Sequence, residues 1–116
     1  MATSPSENPT DRLRETVHVD DVPAEEVAPG ITRRRLTRSE HARGWLIDFA
    51  PGTTWPATDH HEDEERYFVL SGEVVEGPDR YPAGTYVTFH AGSSHRPGSE
   101  TGASMLGISL LTGPPA

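Results

Sequence analysis

The sequence predicts an all-β domain, a sandwich or a barrel, and three observations lead there. Short runs alternate apolar and polar residues with period two; Gly- and Pro-containing turns close the runs; no segment sustains helical periodicity over three turns. The runs are "ITRRRL", "GWLIDF", "RYFVLSGEVV", "TYVTFH" and "ASMLGISLL". In the first (31–36), a strand alternating around Arg34 is expected at a sheet edge, where charge discourages pairing with another chain. In the second (44–49), Trp45, Ile47 and Phe49 share one face, while Leu46 and Asp48 share the other. The third (66–75) follows an acidic segment. In the fourth (85–90), Val87 and Phe89 alternate with Tyr86, Thr88 and His90; the fifth (103–111) closes the domain. "HVDDVPAEEVAPG" (18–30) leaves room for one short edge strand, and "LTRSEHAR" (36–43) for a single helical turn.

The totals bound the functions open to such a fold. At 116 residues with 33% hydrophobic content, one small domain is expected, over residues 17–112. Residues 1–16, rich in Ser, Thr, Pro and charge, are expected as a flexible arm, and 113–116 as a tail. The formal net charge is −8 and all ten basic residues are Arg, a poor match to a nucleic-acid backbone. There is no Cys, no basic-then-apolar leader and no run of about 20 apolar residues. The expectation is a soluble, cytoplasmic protein without a nucleic-acid or membrane partner. So small a core also favours pairing as a homodimer.

Chemistry concentrates between residues 58 and 96. His60 and His61 run into "EDEE", and His95 follows about thirty residues on, after a later strand. Imidazole with carboxylate is the usual ligand set of an open, reactive metal site, and a barrel can turn residues from different strands inward to one ion. Adjacent strand residues point to opposite faces, so His60 and His61 cannot both face inward without a bulge. The same holds for Glu64 and Glu65. No Cys nucleophile, Ser-His-Asp pattern or phosphate-binding glycine loop competes with this cluster.

The glycines around these residues carry a resemblance. Gly52, five residues, Thr58-Asp59-His60, four residues, Glu65, six residues, Gly72 is similar to the first motif of the cupin family, with Thr58 where the first His stands. Gly84, five residues, His90-Ala91-Gly92, two residues, His95, three residues, Ser99 resembles the second motif, with His90 in place of Pro and Ser99 in place of Asn. "EERYFVLSGEV" and "YPAGTYVTFHAGSSHRP" look most like the cupin domain of ChrR-like anti-sigma factors and its stand-alone, dioxygenase-type relatives. The resemblance covers roughly residues 44–111. It implies a double-stranded β-helix, the cupin jelly-roll barrel.

For the site, the resemblance implies one divalent metal ion (Fe, Zn, Mn or Ni) held by His60, Glu65 and His95. A second register uses Asp59, His61, Glu65 and His95. The spacing from Gly52 favours His60, and both registers stay open. The six-residue spacing to Gly72 selects Glu65 over Glu64, which leaves Glu62, Asp63 and Glu64 as a solvated loop. Trp45, Phe49, Tyr67, Val69, Tyr86, Thr88 and His90 are candidate pocket-lining residues. His90 either faces the cavity as a catalytic acid or base, or lies on the surface. Arg66 and Arg96 flank motif residues and either meet an anionic substrate or, the favoured reading, are solvated side chains beside acidic neighbours. The implied activity is a metal-dependent enzyme acting on a small organic molecule, of dioxygenase or isomerase/cyclase type. The alternative is a non-catalytic ligand- or metal-sensing module, or a cupin that has lost its metal.

Overall fold

The computed structural model describes residues 13–111. Most of the expected N-terminal arm and all of the expected 113–116 tail lie outside them. Where the sequence alternates, the chain extends. β1 (Glu25–Ala28), β2 (Ile31–Arg38) and β3 (Ala42–Phe49) form an antiparallel meander. β11 (Ala103–Leu110) lies against β3, with Ala103 opposite Phe49 and Leu110 opposite Ala42. β6 (Glu64–Glu76) pairs on the other side of β11, and β8 (Tyr86–Phe89) pairs with the first part of β6.

β6 is long enough to serve two layers. Its end bends over and pairs with β7 (Asp79–Pro82) and β10 (Pro97–Ser99), and β10 pairs with β4 (Thr53–Thr54). A separate two-stranded ladder joins β5 (Asp59–His60) to β9 (Ser94–His95). The result is the jelly-roll architecture expected from the resemblance, two facing layers that share one strand. Among the described residues, no helix is long and apolar enough to cross a membrane.

The bend in β6 is visible in its inward positions. Glu65, Tyr67 and Val69 face in, then the register shifts against β11, and Val74 faces in with Glu76 following on the same side. The extra residue of a bulge reverses the alternation and bends the strand. Gly72 sits at this corner with φ of 71°, and a Cβ there would stand 1.9 Å from the carbonyl oxygen of Gly102. Only glycine satisfies both constraints. The core between the layers is Ile31, Ile47, Phe49, Tyr67, Val69, Val74, Ala103 and Met105.

Three local expectations need correction. Residues 36–43 make no helical turn; they close the β2–β3 hairpin, where the Ser39 hydroxyl accepts from the backbone N–H of His41 and Ala42. The β2 arginines do not guard an edge, because β2 lies between β1 and β3, and β1 is the edge strand. Finally, Val87 and Phe89 pack on the core, while Tyr86 and His90 are exposed. The face of β8 expected to line a pocket is the outer one.

Candidate metal centre

The β5–β9 ladder brings the two motif segments together. Asp59 stands directly opposite His95, and His60 opposite Ser94. Directly opposed residues in an antiparallel pair project to the same face, so Asp59 and His95 share one side, and His60 and Ser94 the other. The pairing continues past the strand ends, with His61 N–H donating to Ser93 C=O and Gly92 N–H to His61 C=O. His61 therefore returns to the face of Asp59. His60 is exposed, with its Nδ1 2.6 Å from Ser94 Oγ.

The resulting group is Asp59, His61, Glu65 and His95, each offering one ligand atom within 4.8 Å of the others. His61 Nδ1 is 3.3 Å and His95 Nε2 3.2 Å from the Glu65 carboxylate, and His61 Nε2 is 3.7 Å from Asp59 Oδ2. The rings of His61 and His95 lie 4.6 Å apart between centroids. Of the residues singled out from the sequence, these four come together, and His60 and His90 do not. The His90 side chain is 84% exposed and its nearest charged neighbour is Glu64, at 3.7 Å. Glu64 itself turns to Arg66, and Arg96 donates to the carbonyl oxygen of Trp55. Arg96 thus ties down the loop that leads into Asp59.

Four donors of this kind fit a divalent cation. Two imidazoles and two carboxylates are a mixed nitrogen–oxygen set suited to Fe, Zn, Mn or Ni, and the carboxylates balance the ion's charge. Two buried imidazole nitrogens, His61 Nε2 and His95 Nε2, have no hydrogen-bond partner. A buried polar atom left without a partner is costly, and a metal bond would satisfy it.

Behind His95 stands a residue that spacing did not single out. Glu76 Oε2 is 2.8 Å from His95 Nδ1 and accepts from the Tyr67 hydroxyl at 2.8 Å, while its other oxygen accepts from the Arg96 backbone N–H. The Phe89 ring stacks on His95 with centroids 4.1 Å apart. Burial of the ring works against charge on His95, but the carboxylates of Glu65 and Glu76 beside it outweigh that and lift the pKa to about 9 in the metal-free chain. Burial raises the pKa of the Tyr67 phenol, and the Glu76 carboxylate beside it adds to the rise, so Tyr67 remains a donor. Glu76 lies eleven residues beyond Glu65, past the bulge, and no motif position marks it.

The cluster opens on a cavity of about 200 Å3. Trp45, Ile47, Trp55 and Met105 form its apolar wall, and Arg33 and Ser109 add polar groups. Trp45 was singled out from the sequence as lining; Trp55 and Arg33 were not. Ser99, at the second-motif Asn position, is 3% exposed; it donates to Glu73 C=O and accepts from Gly102 N–H, tying β10 to the corner of β6.

Comparison with known proteins agrees with this architecture. Solved structures superpose on most of the chain, the following three among them. An RmlC-like cupin from Shewanella frigidimarina has a TM-score of 0.75 at 16% identity, covering 85% of this chain and 92% of that one. The polyketide cyclase RemF from Streptomyces resistomycificus has 0.71 at 22%, covering 88% and 82%. The complex of Rhodobacter sphaeroides SigE with the anti-sigma ChrR has 0.69 at 22%, covering 79% and 51%. At these identities the likeness is one of fold. No curated protein matches the sequence. Residues 12–110 match the ChrR cupin-like domain family, and with nearly the whole chain accounted for, the protein is a member of that cupin family.

Proposed function

We propose that the protein is a mononuclear, metal-dependent cupin enzyme acting on a small organic molecule, with Asp59, His61, Glu65 and His95 as ligands. One observation carries this reading: four ligand atoms within 4.8 Å, two of them on imidazoles with buried, unpartnered nitrogens, at the floor of an open cavity. A divalent ion there would supply Lewis acidity, activation of bound water or, as iron, activation of dioxygen. The chain's own residues supply the rest. Glu76 orients His95; Trp45, Trp55 and Met105 exclude water; Ser109 Oγ, 3.4 Å from Glu65, holds that carboxylate in place. The reaction is of dioxygenase or isomerase/cyclase type, and similarity to a polyketide cyclase at the level of fold is compatible with the second.

The test is thermal. An ion that binds only the native state at a hundred times its Kd stabilises the fold by about 2.7 kcal/mol. Adding Zn, Mn or Fe to chelated protein should therefore raise the melting temperature of the wild type and leave His95→Ala unmoved. A wild type indifferent to every metal would refute the reading.

A second reading has its own support, because the family matched is that of the ChrR cupin-like domain. In it the cavity senses a ligand or metal and the output is a protein contact. Turnover by metal-loaded protein separates the two. The exposed Phe68, Leu70, Tyr86, Leu106 and Ile108 support pairing with a second copy; light scattering that reads a monomer at high concentration would remove that part.

A further inference from the structure

Arg33 lies on the inner face of β2. It shares that face with fully buried Ile31, two residues earlier, and stands opposite Ile47, where a barrel interior usually carries an apolar residue. Its side chain lines the same cavity as the Asp59–His61–Glu65–His95 cluster. Its Nε is buried and makes no hydrogen bond. The one carboxylate near it, Glu25, is 3.5 Å away and is held more closely by Arg35, at 2.8 Å. An arginine whose single ion pair is long and shared in this way has donors left for a further acceptor in the cavity.

The electrostatics define that occupant. With a divalent ion in place, the carboxylates of Asp59 and Glu65 are balanced, and Arg33 leaves the cavity wall with one positive charge in excess. Glu76 lies behind His95, with its oxygens taken by three donors, and does not line the cavity. Outside, a polar groove that shares Arg33, Trp45, His61 and Ser109 with the cavity is lined also by Arg35, Arg43, Glu62 and Asp63. Three of ten arginines therefore gather at one mouth of a chain whose net charge is −8. Size sets the second limit. An apolar cavity of about 150 Å3 accommodates benzene, so about 200 Å3 admits one ring with a small polar group.

We infer that the substrate is a small organic monoanion, a carboxylate or enolate on a single flat ring, whose anionic oxygens are held by Arg33 and whose ring lies against Trp45 and Trp55. This rests on the proposed metal site, since without the cation the two carboxylates would oppose an anion. Guanidinium suits planar, two-oxygen groups because its donors form a fixed fork.

The sequence contains two Trp, and both line this cavity, so intrinsic fluorescence reports its occupancy. Benzoate and its neutral analogue benzamide would be titrated into metal-loaded wild type, Arg33→Gln and Arg34→Gln, with metal content measured on each sample. Arg34 faces the other side of β2 and pairs with Asp48, so its variant removes the same charge elsewhere. The wild type should bind benzoate at least about tenfold more tightly than benzamide, as one charged hydrogen-bonding pair implies. Arg33→Gln should lose that preference with metal content and melting temperature unchanged, and Arg34→Gln should keep it. Metal present with no benzoate preference, or a preference that survives in Arg33→Gln, overturns this inference alone. Absence of metal from the wild type overturns it together with the reading beneath it.

Discussion

Glu76 determines which nitrogen of His95 faces the cluster. A carboxylate only accepts, so when a metal displaces the second proton the ring keeps the one on Nδ1, which leaves the Nε2 lone pair facing Glu65 and Asp59. Glutamine can instead donate its amide to Nδ1 and so move the ring proton to the nitrogen a metal needs. Glu76→Gln should weaken metal binding about 10- to 100-fold, as removal of such supporting carboxylates generally does. A competition titration against a chelator measures this; unchanged affinity would mean that Glu76 serves only the fold. At this scale Glu65 was legible because Gly52 and Gly72 mark it from either side, and His95 because Gly84 and Gly92 mark it from ahead. Glu76 and Arg33 were not. One lies past a bulge that inverts the alternation, and the other sits in an arginine run that reads as surface.

The choice between His60 and His61 belongs to the elements. Five residues separate Gly52 from Thr58, and that spacing favours His60. The pairing of Asp59 with His95 instead places Asp59 and His61 on the inner face. The extra residue is taken up in the 55–58 loop between β4 and β5, which contains Pro56 and is held by Arg96. Loops absorb an added residue, whereas a ladder would have every side chain reversed by it. β5 and β9 have two residues each, too few to display a period, so the sequence could not reveal them. The longer strands β3, β6, β8 and β11 were readable because alternation persists along them. The β6 corner is the most sensitive point of this layer. Gly72→Ala places a methyl against the Gly102 carbonyl at positive φ, and should cost roughly 2–5 kcal/mol. A melting temperature lower by at least about 10 °C is expected; a shift within about 2 °C, less than 1 kcal/mol would give in so small a domain, would show that the corner relaxes freely.

Across the whole molecule, one strand binds two layers and one short ladder binds two motifs, and the cavity lies where they meet. The all-β class followed from period and turns, since apolar alternation closed by Gly and Pro has few other solutions, and the jelly-roll barrel followed from the resemblance. The register of the proposed ligands did not, because it depends on pairing between segments 34 residues or more apart. Metal content of wild type, His60→Ala and His61→Ala, each purified without an affinity tag and reconstituted, tests the account most directly. The account predicts about one equivalent in wild type and in His60→Ala, and its loss in His61→Ala. Metal kept by His61→Ala but lost from His60→Ala, or absent from all three, would contradict it.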